Sequence, residues 1–140
     1  INKDGEPLII ELAARLSGGW LSTHQIPAAT GVDLVNAVMS EALGIEVLEK
    51  DLTTSKKKAT AIRYFFPEKG KILSIDGLNE LKNSPGVIKC GIFKNVGELQ
   101  PEVQMHPDRF GYVLVEGSDR KNAIKLVKDA MSKLKIGIKK

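Results

Sequence analysis

Glu11 and Arg15 are the charged residues of an otherwise apolar run, Pro7 to Trp20 (PLIIELAARLSGGW), that ends in a glycine pair. Side chains alternate faces along a strand. If the run is extended, Leu8, Ile10 and Leu12 share one face, and Ile9, Glu11, Ala13 and Arg15 share the other. One face therefore carries a carboxylate, then a guanidinium, then the flexible turn Ser17-Gly18-Gly19. A carboxylate is a hard ligand suited to magnesium. Arginine presents a fork of donors to phosphate or carboxylate oxygens. Glycines let backbone N–H groups approach an anion closely. The chemistry of such a set is the handling of a metal ion and a phosphate. A bare surface ion pair would be worth little and would not explain a glutamate set among Leu, Ile and Ala.

These residues resemble the C-terminal edge of the ATP-grasp domain of carboxylate–amine ligases, where a strand ends Glu-x-Asn-x-Arg and runs into a glycine loop. Glu11 and Arg15 match that pattern, whereas Ala13 stands where the family has an Asn metal ligand. The resemblance continues through His24-Gln25-Ile26-Pro27 and Thr30 to Val35, and the remainder looks like the small C-terminal domain of the L-amino-acid ligase type. Carbamoyl-phosphate synthase and biotin carboxylase are relatives that share the chemistry. The resemblance implies ATP and Mg2+ as cofactors, with a small carboxylate activated as an acyl phosphate for attack by an amine. It implies Glu11 as metal ligand and Arg15 as the catalytic group that neutralises charge on the transferring phosphate. Ser17, Gly18 and Gly19 become backbone donors to ATP. His24 is expected at the acceptor pocket. In the long loop after residue 95, His106 and Arg109 read either as surface residues or as a lid over the site, where Arg109 would meet the substrate.

Asp4-Gly5 is a hairpin-turn signal, yet only Ile1 to Lys3 precede it, and no glycine-rich phosphate loop of the Walker or dinucleotide type is present. The expectation is the tail of a larger protein, with the ATP-holding lysines and a further metal carboxylate upstream. The partner is then the upstream ATP-grasp portion, in the same protein or a separate subunit, and the 140-residue chain is inactive alone. An unpaired strand at Glu6 to Ala13 also favours association, so a homodimer is a further expectation. The competing reading is a non-catalytic module that docks on a partner ATP-grasp subunit and completes or regulates it.

Composition narrows the classes. At 42% hydrophobic, 140 residues make one ordinary domain or two small ones. No apolar run reaches the roughly 20 residues that cross a bilayer, and Glu11 and Arg15 interrupt the first apolar stretch, so neither a membrane span nor a signal peptide is expected. The lone Cys90 fits a reducing, cytoplasmic setting. The net charge of +4 arises from Lys56-Lys57-Lys58 and the lysines of 133–140, with aromatics at only 5% and placed in apolar patterns. A solvated lysine face and a ragged tail account for it better than nucleic acid does.

The elements that position this chemistry divide into an α+β arrangement. Residues 1–48 read as the C-terminal segment of the ATP-grasp domain: strand, glycine loop, then a helix from Leu34 with Thr30 as N-cap in a capping box with Asp33, and Gly44 as its stop. That helix is expected to pack on the strand bearing Glu11. Residues 49–58 are a polar linker. Residues 59–140 form a small antiparallel-sheet domain covered by a C-terminal helix. Its strands are expected at 59–66, 71–75, 87–93 and 111–116, with a short helix at 78–83. A long loop spans 95–110, and the last helix runs from about Asp119 to Lys135 on the stripe Ala123, Val127, Ala130, Met131 and Leu134. Trp20 is expected to pack.

Overall fold

The computed structural model describes all residues, 1–140. The chain forms six strands: β1 (Ala59–Phe65), β2 (Gly70–Asp76), β3 (Val87–Ile92), β4 (Leu99–Gln100), β5 (Gly111–Gly117) and β6 (Lys135–Lys139). They form two antiparallel sheets ordered β1-β5-β3 and β4-β2-β6. The helices are α1 (Ile26–Thr30), α2 (Leu34–Ala42), α3 (Leu78–Lys82) and α4 (Arg120–Met131).

On the first sheet, Ala61, Phe65, Val113 and Val115 face inward and meet Ile72 of β2, Leu81 of α3, and Ala123, Val127 and Ala130 of α4 in one core. Helix α4 packs on β5 and β1, as its apolar stripe requires. Asp119 caps it, accepting from the Asn122 N–H at 2.9 Å. Because side chains alternate, Tyr112 and Leu114 point to the opposite face of β5, yet both are buried. A second layer must cover them. It comes from the N-terminal third of the chain, where α1 lies against β1 and a wide turn over Leu21–Gln25 leads into α1.

Several expectations change. Residues 6–13 form no strand: Leu8, Ile9, Ile10 and Leu12 are all largely exposed, on both faces of the run. Alternation alone does not make a strand, because backbone N–H and C=O groups need a partner to bond. Helix α2 consequently does not rest on the Glu11 segment; it packs against the Leu21–Gln25 turn. Asp33, not Thr30, caps α2, accepting from the Asn36 N–H at 3.0 Å. The Thr30 hydroxyl instead bonds back to the Ile26 carbonyl at 2.7 Å and closes α1. The stop at Gly44 holds. With φ at +72°, its N–H reaches the Glu41 carbonyl while that of Ile45 reaches Ser40, the paired bonds of a Schellman close. Residues 49–58 contain a 3-10 turn at Glu49–Leu52, and Ser55, Lys56 and Lys58 donate backbone bonds to the end of α1.

In the second half, the loop after β3 contains the two-residue β4 and a 3-10 turn at His106–Asp108. The last helix stops at Met131. The lysine-rich end is no ragged tail: it is β6, paired with β2 from Lys71↔Lys139 to Asp76↔Lys135. Ile136 and Ile138 pack against the core while Lys135 and Lys139 stay in solvent. The Lys140 ammonium meets Glu68 at 2.7 Å.

Candidate functional site

The glycine loop begins where Ser17 N–H donates to the buried Ser22 Oγ at 2.9 Å. Gly18 then accepts from Leu21 N–H at 3.2 Å. The Gly18 and Gly19 N–H groups have no acceptor within the chain, so both are available to an anion. Gly19 and Trp20 follow with φ of +63° and +66°. Glycine adopts this left-handed conformation freely, whereas a residue with a Cβ pays about 1–2 kcal/mol for it. Trp20 is the sole non-glycine residue with positive φ in the chain.

What holds Trp20 there is the outer face of the first sheet. Its indole stacks on Tyr112, with centroids 5.3 Å apart and planes at 27°. Tyr112 in turn stacks on Phe93 at 5.6 Å. Lys89 places its ammonium 4.6 Å from the centre of the indole, a cation–π contact. His24 meets the indole edge-on at 5.4 Å. Burial, reinforced by the nearby Lys89 charge, holds the His24 pKa below its ordinary value. Burial also pushes the Tyr112 phenol up, with smaller contributions from Cys90 and Tyr64. β-Register explains the convergence: Tyr64 and Tyr112 are directly opposite across β1 and β5, and Gly91 of β3 faces Tyr112 from the other side. A Cβ on Gly91 would stand 2.9 Å from the Tyr112 ring.

The sequence-predicted residues fall into two groups. Gly19, His24 and Arg109 come together on this face. A Cβ built on Gly19 would lie 3.5 Å from the Tyr64 hydroxyl, and the Arg109 guanidinium carbon lies over the same Tyr64 ring, 3.8 Å from its centroid. Arg109 forms no ion pair, which leaves its donors open. Glu11 and Arg15 stand apart, on the exposed run before the loop. They do not pair with each other, and Arg15 makes only a long 3.5 Å contact with the Leu16 carbonyl. No group of three or more His, Cys, Asp or Glu side chains converges in a way that could hold a metal. From this chain a magnesium ion would therefore take one carboxylate, Glu11, with waters and other oxygens completing its shell, which magnesium tolerates. The open amides of Gly18 and Gly19 fit a phosphate in the same way. Sequence reasoning missed Tyr64, Lys89, Phe93 and Tyr112; only the strand register gathers them on the face that meets the glycine loop. A cavity of about 720 Å³ between Phe66, Gly70, Leu99 and Val103 lies elsewhere and includes none of the predicted site residues.

The profile of the L-amino acid ligase C-terminal domain 2 family matches residues 63–139, more than half of the chain. The chain belongs to this family. Among solved structures, it is similar to an L-amino acid ligase from Bacillus licheniformis, with a TM-score of 0.78 and 20% identity over 100% of this chain and 34% of the other. It is also similar to phosphoribosylglycinamide synthetase from Anaerococcus prevotii, with a TM-score of 0.82 and 18% identity over 99% of this chain and 35% of the other. At such identities the likeness establishes the fold, and the chain spans about a third of the length of these structures. No curated protein sequence matches it significantly. The family segment contains β1 from Arg63 onward, all of the aromatic face contributed by the sheet, and β6. No helix of the chain is long and apolar enough to cross a membrane.

Proposed function

We propose that this chain is the C-terminal part of an ATP- and magnesium-dependent ligase of the ATP-grasp type, which activates a small carboxylate, an amino acid, for attack by an amine in the cytoplasm. Membership of the L-amino acid ligase C-terminal domain 2 family over residues 63–139 is the observation that carries this reading. ATP supplies the phosphoryl group that makes the carboxylate reactive. The chain's own residues then have distinct tasks. Glu11 contributes one oxygen ligand to magnesium. Arg15, exposed and unpaired, turns its guanidinium to the oxygens on which charge develops. The Gly18 and Gly19 N–H groups point at phosphate oxygens, and Arg109 closes over the carboxylate from the C-terminal domain. The exposed apolar run Leu8 to Leu12 pairs with a strand of the ATP-grasp portion, which burial of its side chains would favour by about 1.5–3 kcal/mol each.

The test joins the chain to the coding sequence that precedes it and measures amino-acid-dependent release of phosphate from ATP. Turnover should require a carboxylate and an amine together. Glu11→Gln should lower it sharply, with partial recovery in excess magnesium. Arg15→Lys should reduce kcat more than it weakens ATP binding, because a two-pronged contact made in the transition state is lost. If both variants turn over normally while stably folded, the site assignment falls. If no pair of amino acids stimulates phosphate release, the ligase reading falls with it.

A further inference from the structure

Trp20 occupies a conformation that its own backbone disfavours, immediately after the two glycines whose N–H groups are open. Strain of this kind persists only when surrounding contacts over-determine it. Those contacts come from residues far along the chain: Tyr112 on β5, and Lys89 on β3, with Phe93 just beyond β3 backing the phenol ring. The turn that follows depends on the same geometry, since the N–H groups of His24 and Gln25 both donate to the Trp20 carbonyl, at 3.1 and 2.9 Å. We propose that Tyr112 and Lys89 are positioning residues: through their contacts with the Trp20 indole, the C-terminal sheet holds the glycine loop in its left-handed form and sets the direction of the Gly18 and Gly19 N–H groups. What the held loop then binds rests on the ligase reading above; the grip itself does not. It also gives the C-terminal domain a task in a site to which it contributes few charged groups.

Trp20 is the sole tryptophan of the chain, so its fluorescence reports the grip directly, in the 140-residue chain and without any ligand. Tyr112→Leu should shift the emission to the red and raise acrylamide quenching. Exchange of the Leu21, His24 and Gln25 amides should become about 5- to 30-fold faster, the factor by which a left-handed residue is disfavoured once nothing holds it. The amides of the β1–β5 ladder should keep their protection. Tyr112→Phe, which retains the stacking ring, should restore all three readings. Lys89→Gln, at a partly exposed position, should move quenching and exchange in the same direction, and it decides the matter if Tyr112→Leu does not fold. A folded Tyr112→Leu chain with unchanged Trp20 emission and unchanged exchange overturns the proposal, as does a Lys89→Gln chain indistinguishable from the parent when Tyr112→Leu is unfolded. Should these readings behave as expected while the longer protein shows no ligase activity, the grip stands and only the ligase reading fails.

Discussion

Replacing Trp20 by glycine should leave a more stable protein than replacing it by alanine, the reverse of the order at most ordered positions. Both variants lose the stack on Tyr112 and the Lys89 contact. Together those amount to about 1–2.5 kcal/mol before area burial is added, so both should be well below the parent. The two differ only in backbone terms. Alanine must still adopt a φ near the +66° of Trp20, at a cost of about 1–2 kcal/mol. Glycine escapes that cost but gives up about 0.5–1 kcal/mol more chain entropy on folding. The balance favours glycine by about 0.5–1 kcal/mol. With a urea dependence of roughly 1–3 kcal/mol per molar, the glycine variant should unfold about 0.2–1 M later. Equilibrium unfolding followed by far-UV circular dichroism, with slopes matched between the variants, makes the comparison. An alanine midpoint at or above that of glycine would show that position 20 carries no left-handed strain and that Tyr112 and Lys89 have none to hold.

His24 should make stability depend on pH. Burial and the Lys89 charge hold its pKa in the fold below the ordinary 6.5. Between those two values the unfolded chain binds more protons, so stability falls as pH falls through that window and is flat above it. The parent should lose more stability than His24→Gln between about pH 7.5 and about pH 5.5; equal losses would contradict the assignment. Leu114, fully buried on the outer face of β5, should cost about 3–5 kcal/mol when cut to alanine. Leu99→Ala, at a side chain 70% exposed, should change stability by less than about 0.5 kcal/mol. Similar urea midpoints for the two variants would mean that the N-terminal layer does not cover that face.

Much of the C-terminal domain was legible because its signals are local. Alternation between the breakers Pro67, Gly77 and Pro85-Gly86 marks β1, β2 and β3, and the spacing of Ala123, Val127 and Ala130 marks α4. The membership inferred from Glu11, Arg15 and the glycine loop agrees with the family match, which falls on other residues. Strand β6 was hidden by its charge: Lys135-Ile-Gly-Ile-Lys139 alternates with period two, but its lysine content suggested a solvated tail. β4 is two residues long and carries no pattern at all. The run Leu8 to Leu12 shows the opposite failure, since it is apolar enough for a strand and no strand forms. A ladder is a property of two segments, and one segment's sequence records only half of it. The aromatic grip on Trp20 was out of reach for a related reason. Phe93 and Tyr112 look like ordinary strand residues until the register sets them, with Lys89, around a side chain from the opposite end of the chain.

The order of strands in the second sheet also governs how the protein is made. β2 lies in the middle of β4-β2-β6, yet β6 is translated long after it. A ribosome must therefore deliver nearly the whole domain before β2 can close its second edge. Until then Ile72 and Ile75 belong to an open strand with an apolar side, the kind of intermediate that recruits chaperones or neighbouring chains. Closure of so distant a pair is intrinsically slow. Shortening the chain by its last few residues would therefore do more harm than their small area suggests, because it removes the piece that seals the sheet and ends the vulnerable interval of biosynthesis.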